Sequence, residues 1–271
     1  LTIEAGVEVR FLKVSDDQSS GQDVNRSELC IDGGSLIAEG TVNDSIVFVS
    51  NAESPGENDW YGFYCAYSVG VIHLRYVSFR HASYVISSGS SMSSIQFYGN
   101  QSDSLRITNS FFRDIGNTVF YGRLDSREDA RMIIKNNKFS DFSTFLYSAR
   151  VYDNGLLDID ANEFIGNHSY LTGDQWSVQH ADARIRFTNN QSTNNSRLYF
   201  YANGDNATEY QVIIEDNQLS SRWGSEIRLY GSDADEGRFL MKDNTLDTMR
   251  VSVWSAAKAL IQGNTIKNSQ Y

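Results

Sequence analysis

The chain is poor in several things. Among 271 residues there is one proline, Pro55, and no stretch carries the apolar spacing of an amphipathic helix. No run of 18 apolar residues exists, which excludes a membrane-spanning helix, and membrane insertion is not expected. Positive charge is short: 23 Lys and Arg stand against 34 Asp and Glu, a net charge of −11. Such a field repels nucleic acid and anionic membrane surfaces, so neither is expected as a partner. The four histidines, His73, His81, His168 and His180, show no metal-ligand spacing, and His81 reads as a surface turn residue. Cysteine occurs twice, at Cys30 and Cys65. They read either as a disulfide between neighbouring coils, favouring an extracytoplasmic setting, or as two buried free thiols.

What the chain does have is a repeated phrase. Ile133-Ile134-Lys135-Asn136-Asn137-Lys138-Phe139 returns as Ile159-Asp160-Ala161-Asn162-Glu163-Phe164 and as Ile213-Ile214-Glu215-Asp216-Asn217-Gln218-Leu219. It returns again as Leu240-Met241-Lys242-Asp243-Asn244-Thr245-Leu246 and Leu260-Ile261-Gln262-Gly263-Asn264-Thr265-Ile266, with a degraded copy around Asn190. The shared asparagines Asn137, Asn162, Asn190, Asn217, Asn244 and Asn264 are 25, 28, 27, 27 and 20 residues apart. An apolar strand, an asparagine and one further apolar residue at a period in the twenties define a solenoid. Asparagine suits its corner because it tolerates left-handed backbone and bonds neighbouring main chain, and stacked amides can bond each other in a ladder. One body over residues 1–271 is expected, with longer loops in 1–85 and regular coils in 86–271. About ten coils at about 4.8 Å per rung would stand about 45–50 Å tall. Residue 1 opens within a strand and neither end carries a polar capping repeat. A piece of a longer chain is therefore expected, with flanking domains or subunits covering the open ends.

A second short strand follows each copy. With Phe120, Leu146, Phe200, Leu229 and Val253 inward, Tyr121, Tyr147, Thr172, Tyr201, Tyr230 and Trp254 face outward, because side chains alternate. Two places earlier, Val119, Phe145, Tyr170, Tyr199, Arg228 and Ser252 share that outer face. Eight of these twelve places are aromatic. Contiguous exposed rings mark a binding surface, and flat rings with a polar rim suit sugar faces. Cross-coil stacking for stability and a protein interface are the competing readings.

The phrases Leu1-Thr2-Ile3-Glu4-Ala5-Gly6-Val7, Leu36-Ile37-Ala38-Glu39-Gly40-Thr41, Ile46-Val47-Phe48-Val49-Ser50, Asp59-Trp60-Tyr61-Gly62 and Leu74-Arg75-Tyr76-Val77-Ser78-Phe79 carry a resemblance. They resemble the opening of bacterial secreted or surface-attached repeat proteins of the pectate-lyase-like superfamily, over about the first 85 residues. The resemblance implies an all-β, right-handed parallel β-helix, secreted or at the cell surface. It leaves activity open, since such folds host lyases, hydrolases, tailspikes and adhesins. Enzymes of this kind use clustered carboxylates, often with Ca²⁺ and an arginine or lysine base. The matching candidates here are Asp114 and Asp141, two places after their anchors in consecutive coils, with Arg113 beside them; Asp158 and Asp160 share another strand face. Asp233, Asp235 and Glu236 offer oxygen ligands for Ca²⁺ without the twelve-residue spacing of an EF-hand. The first expectation is non-catalytic recognition of a polysaccharide or cell-surface glycan, with no obligatory cofactor. A polysaccharide lyase or glycoside hydrolase and a structural stalk or adhesin repeat are the alternatives.

Overall fold

A computed structural model describes residues 1–19, 21–99, 103–203, 207–232, 237–256 and 258–269. Among them there is no helix, and every strand pairing between named strands is parallel. The chain is a parallel β-solenoid. Its first sheet stacks ten strands strictly in sequence, from Thr2–Ile3 through Leu36–Glu39, Arg131–Lys135 and Leu156–Asp160 to Lys258–Gln262. A 19-stranded sheet wraps the remaining sides. About seven turns are formed, fewer than the ten coils expected. The regular corner runs from Ser110 through the six ladder asparagines to Asn264. The laps before it are interrupted by polar loops at 12–27 and 51–59, although their strands still join the first sheet.

Alternation sets each rung. In Arg131–Lys135, Met132 and Ile134 are buried, while Arg131 is exposed and Ile133 and Lys135 are partly so. The second residue after each ladder position points inward and stacks in strict register. Phe48, Phe79, Phe112, Phe139, Phe164, Ser192, Leu219, Leu246 and Ile266 form one column. At the last rung Ile261 and Ile266, in register with buried Met241 and Leu246, are exposed.

The six asparagines turn one corner, as their spacing predicts. Asn162 Nδ2 donates to Asn190 Oδ1 at 3.1 Å and to the Ile134 carbonyl at 2.8 Å, and its main-chain N–H donates to the same Asn190 oxygen at 3.0 Å. The pattern repeats from Asn137 to Asn264, and Ser110 N–H extends it downward by donating to Asn137 Oδ1. Left-handed backbone falls one place earlier than expected. Asn136, Ala161, Asn189, Asp216, Asp243 and Gly263 have φ between 54° and 69°, and the ladder asparagines do not. The kink thus aims the following amide along the solenoid axis, where both its ends find partners.

The disulfide reading is excluded. Strand pairing sets Cys30 beside Tyr64 and Ile31 beside Cys65, so the thiols occupy opposite faces of adjacent strands. Both are free; Cys65 is buried and Cys30 is exposed. Desolvation, then the hydrogen bond to Glu28, pushes the Cys30 thiol up to about 11, and burial raises Cys65 as well, so both stay protonated at neutral pH.

Candidate functional site

The expected outward face splits into two aromatic groups. Phe145 is not on it: the ring is wholly buried, 4.9 Å from Phe139 and 4.7 Å from Phe164. Val119 and Thr172 are buried too. The chain bends here, with the pairing register shifting between Phe120 and Arg123, so Phe145 and Leu146 both face the core. Strict alternation fails at a corner.

The first group climbs one side of the solenoid. Tyr61 and Tyr84 lie 5.2 Å apart, Tyr84 stacks on Tyr121 at 4.8 Å, and Tyr121 meets Tyr147 edge-on at 6.0 Å. The file stops at Gly173, where a Cβ would stand 2.6 Å from the Tyr147 ring. Tyr201 therefore does not continue the line of Tyr147. Pairing sets Tyr201 above Ser177, Arg150, Asp125 and Gln96 instead. A count from the phenylalanine anchors misses this offset because the turn after Thr172 is longer than its counterparts.

The second group is the exposed one. Tyr201, Tyr230 and Trp254 are aligned rung upon rung, with Tyr201 and Tyr230 stacked at 5.3 Å. Tyr230 is 39% exposed and Trp254 57%. Beside them guanidiniums alternate with rings: Arg197 lies 4.6 Å over Tyr170 and 5.3 Å over Tyr199, and Arg228 lies 4.4 Å over Tyr199. Arg197 is pinned by bonds to the Thr172 and Gly173 carbonyls, and Arg228 by Glu226 at 2.7 Å. Tyr170, 44% exposed, borders this group. The rings are held in place before any ligand arrives, which limits the entropy lost on binding.

Of the acidic candidates, Asp114 and Asp160 have structural partners. Asp114 and Asp141 stack on a second left-handed corner with His81, at φ of 55°, 54° and 68°. Arg113 Nε donates to Asp114 at 2.9 Å, and His81 Nε2 is 3.6 Å from the same oxygen. Asp141 is exposed, whereas His81 is buried and not at the surface as its turn position suggested. Asp160 accepts bonds from Thr188 and Asn189 at 2.9 and 2.8 Å and pairs with Lys135. Desolvation raises its carboxyl, but these bonds outweigh it and hold it below 3.8; Asp158, half-buried, is pushed up by desolvation. Asp233, Asp235 and Glu236 lie outside the described residues, and among the described residues no three His, Cys, Asp or Glu side chains converge as a metal site.

His81 supplies a pH prediction. Desolvation lowers its pKa from the ordinary 6.5, against the pull of Asp114. Between the lowered value and 6.5 the unfolded chain binds the proton and the folded chain does not. Stability from this site is thus complete above pH 6.5 and lost on acidification. Thermal melts should fall in Tm below pH 6.5, with a shallower slope in His81→Asn, a residue that accepts the left-handed backbone. Equal slopes would show that folding does not lower the proton affinity of His81.

Sequence reading did not single out Arg123, Asp125 and Arg127, which alternate outward from one strand between buried Leu124 and Ser126. The signal was there: charges at every second place in Arg-Leu-Asp-Ser-Arg put all three on one face.

These elements define a parallel β-solenoid whose outer face carries preorganised rings and guanidiniums. Among known proteins, no family model, no curated protein and no solved structure matches the chain.

Proposed function

We propose that the chain is a non-catalytic module that recognises a polysaccharide or cell-surface glycan. The observation that carries this is the in-register outward row of half-buried Tyr201 and exposed Tyr230 and Trp254, flanked by Tyr199 with Arg228 over its ring. Tyr201 and Tyr230 stack on each other, so the row presents ring edges and hydroxyls outward at about 4.8 Å intervals along the axis. Successive sugars can set their apolar patches against those edges while the tyrosine hydroxyls and guanidiniums bond their hydroxyls. Tyr121 and Tyr147 belong to the separate row, and we assign them to stacking between coils. The resemblance of the first 85 residues to secreted and surface-attached bacterial β-helices of the pectate-lyase-like kind supports an extracellular setting.

Retention on a panel of insoluble and immobilised polysaccharides tests the proposal. Trp254→Ala and Tyr201→Ala should each weaken retention about tenfold on whichever polysaccharide the wild type binds. Failure of the wild type to bind any member, or undiminished retention of both variants, would end the proposal.

A further inference from the structure

Down the column of Tyr201, three rungs away at Asp125, the same face opens into a cleft of about 440 Å³. That is within the range of small-molecule sites. Tyr67, Gln96, Arg123 and Arg127 line it, and the segment from Ser88 to Ser94 forms one wall. Among the described residues no acid lines it, although the chain carries a net charge of −11. The Asp125 carboxylate is wholly buried beneath the guanidiniums. Arg123 grips it with two bonds of 2.8 and 3.2 Å, and Arg127 lies 3.5 Å from the same group. Arg150 follows Asp125 in register on the next rung. One negative charge therefore orders two guanidiniums and leaves a local excess of positive charge.

The remaining polar groups are poised to donate. Arg127 is stacked 3.9 Å over Tyr152, which fixes the direction of its guanidinium. Gln96, itself buried, donates to the Tyr67 hydroxyl oxygen at 2.6 Å, which leaves the Tyr67 proton to give. The other end of the Gln96 amide accepts from Tyr98 at 2.6 Å, so the Gln96 side chain is fixed. Fixed guanidiniums with a hydroxyl donor and no accessible acid match a group with three charged oxygens.

We infer that this cleft is an oxyanion subsite that receives the sulfate or phosphate monoester of a sugar-sized molecule. The assignment is independent of the aromatic platform. Titration calorimetry with glucose 6-sulfate, glucose 6-phosphate and glucose tests it directly. Either ester should bind where glucose does not, and the tighter of the two names the source of the oxyanion. Added salt at 1 M should weaken binding. Arg127→Gln should weaken it about tenfold or more, because a charge-assisted contact is lost. Tyr67→Phe, at an exposed side chain where folding is not in question, should weaken it several-fold. Absence of binding by both esters, equal binding by glucose, or an unaltered affinity in folded Arg127→Gln and Tyr67→Phe would overturn the inference.

Discussion

Replacing Asn190 with alanine should lower the stability of the solenoid by about 3–5 kcal/mol. Asn190 is 0% exposed, and its side chain takes part in four hydrogen bonds. Its oxygen accepts from the Asn162 main-chain N–H and the Asn162 amide, at 3.0 and 3.1 Å. Its Nδ2 donates to the Ile159 carbonyl at 2.9 Å and to Asn217 Oδ1 at 3.1 Å. Alanine leaves several of these buried groups unpaired, and each such group costs about 1–3 kcal/mol. Asn190→Asp should be no better, because it has lost the donor and sets a buried negative charge beside two acceptor oxygens. Denaturant melts followed by circular dichroism give the answer; a midpoint within experimental scatter of the wild type for Asn190→Ala would mean that the amides do not hold the coils together. Because a solenoid is stabilised mainly between neighbours, a defect at the middle of the ladder should also split the melt into two steps.

Phe139→Ala should cost a similar amount by a different route. Phe139 lies between Phe112, at 4.8 Å and 11°, and Phe164, at 5.4 Å and 10°, with Phe145 edge-on at 4.9 Å. Truncation removes the buried ring and opens a cavity that stacked strands cannot collapse to fill, for about 3–5 kcal/mol. Phe139→Leu keeps most of the volume and should cost less than half as much. A loss under about 1 kcal/mol for the alanine variant would show that the column relaxes into the gap.

The ladder was legible because its chemistry is local and repeated. The apolar residues flanking each asparagine keep step with it, and the register from Phe112 to Ile266 follows the sequence alignment rung by rung. The outer face was legible only in part. Tyr201, Tyr230 and Trp254 lie within strand segments that pair regularly, beyond the irregularity between Ser220 and Ser225, so alternation within each segment sets them in one row. Phe145 and Tyr147 sit where the chain bends and where the following turn lengthens, and an offset counted from Phe139 takes no account of either. His81 and Asp125 were misjudged or passed over for another reason: their burial comes from neighbouring rungs, and nothing in the adjacent residues announces it.

In the solenoid the strand pairing and the amide ladder both link one turn to the next along the same axis. Tension applied through the two ends would load them as a peeling seam, one turn at a time. Each turn that lets go between Asn137 and Asn244 releases the 25 to 28 residues separating consecutive ladder asparagines. That length of chain reaches about 90 Å when extended, against about 4.8 Å of height surrendered. Under such a load the chain would lengthen one turn at a time while the turns still closed, with the rings they carry, stay intact.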